Sequence, residues 1–256
     1  LFLNQLPDNF DNIYFVNSGS ESNEGALKLA KKYTGRTEII ACRNAYHGST
    51  HGVLSLMGHE KYRNPFRPLL PDVRYIEFNK EEDLEQITER TACVMVEPIQ
   101  AEAGIVIPHK DYLKKLRERC NETGALLIFD EVQTGFGRTG SLFGMTYFGV
   151  YPDIFTIAKG MGGGMPIGAF VSSKIIMDSL KANPGLGHIT TFGGHPVSAA
   201  AAHASLQVIL EEQLIDRVSR KGKIYMEELS HPKIKNMWGT GLFIAVELED
   251  APTVSK

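Results

Sequence analysis

Short apolar runs alternate with segments whose apolar residues recur at helical spacing along the 256-residue chain. Ile13-Tyr14-Phe15-Val16 reads as a strand that stops at Asn17-Ser18-Gly19-Ser20. A helix over 21–33 follows, with Ala26, Leu27, Leu29 and Ala30 on one face. Further strands are predicted over 38–42, 73–78, 92–96, 125–129, 154–158 and 169–171. Helices are predicted over 110–123, closed by Gly124, and over 196–211 and 219–229. The last apolar run, 242–248, reads as a strand, yet no partner strand is visible after it. There is no internal repeat, and no linker before about residue 230.

Apolar strands alternating with helices predict an α/β fold: a mainly parallel central sheet flanked by helices. Such sheets bind ligands at the carboxyl ends of their strands. The residues at those ends are Ser18-Gly19-Ser20, Glu97, Asp130 and Lys159.

Each has a structural reading and a chemical one. Ser18-Gly19-Ser20 opens a helix, so free N–H groups, the positive dipole end and two hydroxyls suit a phosphate monoester; plain N-capping is the alternative. Neither GxxxxGK[ST] nor GxGxxG occurs, which removes the common nucleotide loops. Asp130 follows five apolar residues, where a carboxylate needs a partner or a site; it can hold a protonated heterocyclic nitrogen or cap a helix. Lys159 stands between an apolar strand and Gly160-Met161-Gly162-Gly163-Gly164, a setting for a nucleophilic amine rather than a snorkelling surface lysine. Tyr46 can stack on a planar ring. His47 and His51 have the spacing of a metal pair, but Gly48 disfavours a helix between them and no third ligand stands nearby, so no metal is expected.

Composition narrows the class. The chain is 43% apolar and 22% charged with a net charge of −3, which excludes a disordered chain and leaves no basic face for nucleic acid. No run of about 18 apolar residues predicts a membrane span. Cys42, Cys93 and Cys120 are widely spaced and read as reduced, buried thiols of a cytoplasmic protein. A phosphate cradle, an amine, a carboxylate and an aromatic face together match the needs of pyridoxal 5′-phosphate.

From about Ile13 to Glu249 the chain resembles the class III, ornithine/acetylornithine/4-aminobutyrate-type, aminotransferases of the fold-type I pyridoxal-phosphate enzymes. The resemblance lies in Asn17-Ser18-Gly19-Ser20-Glu21-Ser22-Asn23-Glu24, Tyr46-His47-Gly48, Glu97-Pro98-Ile99-Gln100, the run from Phe129 to Gly140 that includes Asp130-Glu131-Val132-Gln133 and Gly137-Arg138-Thr139, Ala158-Lys159-Gly160, and Thr191-Phe192-Gly193-Gly194. It implies cofactor contacts from Ser18, Gly19 and Ser20 to the phosphate, stacking by Tyr46 with His47 beside it, and Val132 on the other ring face. It also implies Asp130 on the ring nitrogen, Gln133 near the phenolic oxygen, and Lys159 as the internal-aldimine lysine. Glu97 would support Asp130 and Gln133 from behind. Thr191 would reach the neighbouring subunit's cofactor, making a homodimer.

The implied activity moves an amino group from an ω-amino or diamino acid, ornithine- or acetylornithine-like, to a 2-oxo acid by a ping-pong mechanism. Same-fold aminomutase, epimerase or decarboxylase chemistry, or a non-catalytic relative, are the alternatives. Where many members carry a carboxylate-binding arginine this chain has Ser49, with Arg43 and Arg63 as replacement cations. Glu102 matches a substrate-gating glutamate, and His195 stands where asparagine is commoner. The expected organisation is a large cofactor domain over 1–232, lacking an N-terminal part, and the start of a truncated small α/β domain over 233–256.

Overall fold

The computed structural model describes residues 1–249; the remainder of the expected second unit, residues 250–256, lies outside them. One sheet contains β1 (Asn12–Val16), β2 (Glu38–Cys42), β3 (Val73–Ile76), β4 (Thr91–Val96), β5 (Leu126–Asp130), β6 (Ile154–Ile157) and β7 (Gly168–Ser172), in the order β1-β7-β6-β5-β4-β2-β3. Strands β3, β2, β4, β5 and β6 pair in parallel, as expected. β7 runs antiparallel to both β6 and β1. The cause is length: only residues 158–167 separate β6 from β7, too few for a helical crossover of a dozen or more residues.

Side-chain alternation puts neighbouring residues of each central strand into opposite cores. Ile40, Cys42, Val94, Val96, Leu127 and Phe129 pack on one face, and Ile39, Ala41, Cys93, Met95 and Ile128 on the other. Both faces are covered, so these strands read as continuous apolar runs rather than alternating ones.

Among the described residues there are eight α-helices: α1 (Gly19–Thr34), the single turns α2 (His51–Leu54) and α3 (Glu60–Arg63), α4 (Tyr112–Thr123), the short α5 (Gly144–Phe148) and α6 (Lys174–Met177), α7 (Pro196–Glu211) and α8 (Val218–Glu228). α1 buries Ala26, Leu27, Leu29 and Ala30, and α4 buries Leu113, Leu116 and Cys120 before ending at Gly124. α7 is apolar but buries only Ser198 and Leu206.

The strand expected over 242–248 does have a partner, and it precedes it. β8 (Ile234–Thr240) pairs antiparallel with β9 (Phe243–Leu248) as a separate two-stranded sheet. Lys235, Asn236 and Gly239 break the apolar signal of β8, which hid it from pattern reading. This hairpin docks on the large sheet's loops: Trp238 Nε1 donates to Gly104 O at 3.0 Å, and Leu242 N to Arg138 O at 2.9 Å.

Candidate active site

The carboxyl ends of β1, β2, β5 and β6 converge on a cavity of about 510 Å³. Ser18, Gly19, Ser20, Tyr46, His47, Asp130, Val132, Gln133 and Lys159 line it together, from four separate stretches of chain. Met165, Pro166 and Ile167 complete its wall; they lie in the loop before β7 and carry no chemical signal in the sequence.

The entrance of α1 is both cap and cradle. Ser18 is extended, and its Oγ accepts from Glu21 N at 3.2 Å. The N–H groups of the first turn have no carbonyl of their own helix to meet, and Gly19 and Ser20 present theirs at the cavity. The loop after β2 closes onto this entrance. Ser49 N donates to Ser20 Oγ at 3.3 Å, and Gly48 has φ +125°, where an added Cβ would stand 2.3 Å from that same Oγ. Only glycine permits this approach.

Asp130, 4% exposed, is held on three sides. Its Oδ2 accepts from His47 Nδ1 at 2.9 Å and from Asn23 Nδ2 at 2.8 Å, and its Oδ1 from Val132 N at 3.0 Å. Asn23 also donates to His47 O at 2.7 Å and accepts from Thr156 Oγ1 at 2.6 Å, tying α1, β5, β6 and the loop after β2. Pattern reading gave Asn23 no role. The available signal was an asparagine one turn before Ala26 and Leu27, on the buried face of an apolar helix.

Burial opposes protonation of His47, but the bond to Asp130 and the nearby charges of Asp130 and Glu97 outweigh it and hold its pKa above the ordinary value. His47 Nε2 is buried with no partner among the described residues. His51 turns elsewhere, its Nε2 donating to Pro68 O at 2.9 Å. Among the described residues no cluster of three or more His, Cys, Asp or Glu side chains is arranged to hold a metal.

Glu97 departs from expectation. Its carboxylate accepts from Tyr46 N at 3.2 Å and Ala101 N at 3.1 Å, so it ties two loops instead of supporting Asp130 and Gln133. Support for Asp130 comes from His47 and Asn23, while Gln133 Nε2 donates to Glu102 Oε1 at 3.5 Å. Burial pushes the Glu97 carboxyl up to about 7.

Lys159 has φ +47° and opens a single 3-10 turn, Lys159–Gly162. Its amine faces the cavity. Burial and the charge of Arg138 outweigh Asp130, Glu102 and Glu97, leaving its pKa below that of an ordinary lysine.

Four predicted residues stand outside this cavity. Ser49 and Glu102 line a second one of about 660 Å³, which shares the Tyr46 wall and adds His51, Lys61 and Tyr62. Thr191 is exposed beside Asn17, Glu21 and His188 in a separate hollow, and Glu97 lies behind Tyr46. The replacement cations are engaged elsewhere: Arg43 pairs with Glu77 at 3.0 Å, and Arg63 pairs with Glu60 and lies over the Tyr75 ring. His195 caps α7, its Nδ1 accepting from Val197 N at 3.3 Å.

The cavity fits pyridoxal 5′-phosphate. A buried carboxylate braced by two side-chain donors suits a pyridinium nitrogen, the helix entrance suits a phosphate, and the amine and aromatic ring share the same walls.

The chain is similar to known proteins over most of its length. The chain is 41% identical over 254 residues to a LysW-aminoadipate semialdehyde/glutamate semialdehyde transaminase of Sulfurisphaera tokodaii, covering 97% of this chain and 65% of that protein. It is 45% identical over 251 residues to an acetylornithine aminotransferase of Methanocaldococcus jannaschii, covering 93% and 62%. It therefore spans less than two thirds of the length of these curated relatives. Among solved structures, the ornithine aminotransferase of Toxoplasma gondii superposes with a TM-score of 0.87 at 35% identity, covering 94% of this chain and 60% of that one. The class-III aminotransferase profile matches residues 1–256, and the chain belongs to that family.

Proposed function

We propose that the protein of which this chain forms part is a pyridoxal-phosphate-dependent aminotransferase that moves an amino group from an ω-amino or diamino acid to a 2-oxo acid. The observation that carries this reading is the convergence of Lys159, the braced Asp130 and the α1 entrance on one cavity. Relatives named for acetylornithine and semialdehyde substrates favour an ornithine-type donor.

Bound there, the cofactor supplies a carbonyl carbon for amine exchange and an electron-accepting ring. The α1 entrance at Gly19 and Ser20 would hold its phosphate. Asp130, steadied by His47 and Asn23, holds the proton on the ring nitrogen. Tyr46 and Val132 would pack against the cofactor ring, and Gln133 would lie beside it. Lys159 would hold the cofactor through its amine and would carry the proton off the substrate carbon that bears the amino group. Burial, with Arg138, lowers the amine's pKa below that of an ordinary lysine, which favours the neutral form that can do so. The same groups serve both half-reactions, so the donor's keto product leaves before the acceptor enters.

Ser49 and Glu102 place the substrate's distal end in the second cavity, where Lys61 supplies a cation. Thr191 lies outside its own chain's cavity, and Leu186, Ile189 and Phe192 around it are 81%, 71% and 64% exposed. That apolar, uncovered segment supports a homodimer in which Thr191 reaches the partner's cofactor. Three buried free thiols accord with a cytoplasmic setting.

The test is a donor panel of ornithine, acetylornithine, 4-aminobutyrate and β-alanine on the full-length protein, read by loss of the cofactor's absorbance band and by keto product. Turnover with an ω-amino or diamino donor is expected, and Lys159→Ala should abolish it. Turnover by Lys159→Ala, or release of CO₂ in place of keto acid, overturns the reading.

A further inference from the structure

Arg138 belongs to a sequence signature that the proposed reaction leaves without a task. Its half-buried guanidinium has no carboxylate within ion-pair distance among the described residues. Nη1 donates to Gln133 O at 2.9 Å, with Val132 O and Gly135 O at 3.5 Å. A cation drawn partly out of water without a counter-charge loses hydration and gains little in return. Arginine keeps its proton even so, because its pKa starts very high.

What this cation faces is the Lys159 turn. A Cβ placed on Gly160 would lie 3.2 Å from Phe136 Cβ and 3.5 Å from Arg138 Nη2, so the guanidinium forms part of the floor beneath that glycine. On the opposite side Ser205 of α7 donates to Gly160 O at 3.3 Å. The left-handed turn at Lys159 is thus fixed between α7 and Arg138.

We propose that Arg138 is a positioning residue for Lys159, an unpaired cation fixed behind the Lys159-Gly160 turn that acts on the amine through its charge. The proposal rests on the reading of Lys159 as the cofactor-anchoring amine. The groups around that amine are Asp130 at the end of β5, Glu97 at the end of β4, Glu102 in the loop that follows, and His47 and Tyr46 after β2. His203 of α7 lines a separate hollow with Phe136 and Met161. The three carboxylates favour the ammonium form, while burial and Arg138 oppose it. The three hydrogen-bonded carbonyls make the guanidinium stay in place, which a solvated surface arginine would not do.

The experiment measures the amine directly. Full-length protein is stripped of cofactor and trace-labelled with acetic anhydride across a pH series, and the Lys159 peptide is quantified against an exposed lysine by mass spectrometry. Arg138→Gln keeps a donor for the Gln133 carbonyl and removes the charge. It is expected to raise the labelling midpoint of Lys159 by about half a pH unit or more, cutting labelling near neutral pH about threefold. Arg138→Lys keeps the charge and is expected to hold the midpoint near that of the wild type. Arg138→Met gives a second neutral side chain should the glutamine variant fold poorly, with the same upward shift expected. A wild-type midpoint in a folded neutral variant, or a lysine variant displaced as far as the neutral ones, overturns the proposal. The labelling needs no cofactor, so it is separable from the proposed function: cofactor anchoring that survives Lys159→Ala would reject that reading while leaving the midpoint shift standing.

Discussion

His47 and Asp130 form a buried pair, Nδ1 to Oδ2 at 2.9 Å, with the imidazole side chain wholly covered and the carboxylate side chain 4% exposed. Asn23 shares the same oxygen. These two donors come from different segments, so Oδ2 is positioned by the fold, while Val132 N of its own loop holds Oδ1. Removing a partner from a buried charge leaves it uncompensated. His47→Phe is expected to destabilise the protein by about 2–4 kcal/mol, and Asn23→Ala by about 1–3 kcal/mol. Urea unfolding of the full-length protein at fixed cofactor concentration measures both. Wild-type midpoints in both variants would show that the pair is not under this constraint.

Glu97 gives stability a pH dependence of definite sign. Burial raises its folded pKa from an ordinary 4.5 to about 7, so between these values the folded protein holds a proton that the unfolded chain releases. Stability therefore falls as pH rises through this window. The raised pKa of His47 acts in the same direction, its contribution being lost as pH climbs through its folded value. Glu97→Gln is expected to flatten the decline between about pH 5 and 7 and to lose less than the wild type, by about 1–3 kcal/mol, at the alkaline end. Thermal melts across that range test it; a wild-type slope in the variant contradicts it.

Gly48 sets the distance between the Tyr46 loop and the α1 entrance. At φ +125°, with Ser20 Oγ 2.3 Å from an added Cβ, Gly48→Ala must open that contact. The expected outcome is a loss of about 1–3 kcal/mol of stability together with weaker cofactor retention. Equilibrium dialysis against pyridoxal phosphate checks the second part, and unchanged retention would place the phosphate elsewhere.

The three cysteines are predicted to be chemically silent in the folded protein. Burial pushes the thiols of Cys93 and Cys120 up to about 12, and Cys42 moves in the same direction. An aromatic disulfide reagent at neutral pH should release no chromophore until denaturant is added. Rapid reaction of the native protein would show a more open core.

Ser49 faces the second cavity with Glu102 and Lys61. Ser49→Arg adds a bidentate carboxylate donor to that wall. It is expected to lower KM about tenfold for donors whose carboxylate reaches this wall, with little effect on amines that lack one. Steady-state kinetics on matched acid and amine donors decide the point, and equal effects on both would place the carboxylate elsewhere.

Local order was legible wherever neighbours in sequence suffice to produce it. The α1 helix, its Ser18 cap, the buried strands and the Gly124 terminus follow from apolar spacing and small-residue punctuation. β8 was not legible, because lysine, asparagine and glycine interrupt its pattern and its partner and docking site supply what its own residues lack. The reversal of β7 followed from connection length, which periodicity does not register.

By itself the sequence determined that Ser18-Gly19-Ser20, Glu97, Asp130 and Lys159 stand at strand ends, since residue type and the end of an apolar run are local properties. Only the tertiary structure decided what each touches. It joined Asn23 to Asp130, turned Glu97 toward Tyr46 and Ala101, separated Ser49 and Glu102 from the main cavity, and set Arg138 behind Lys159. Apart from the local Glu97–Ala101 bond, those contacts link residues far apart in the chain, and their geometry depends on how the strands are ordered and how closely the loops pack. No local pattern of hydrophobicity encodes that.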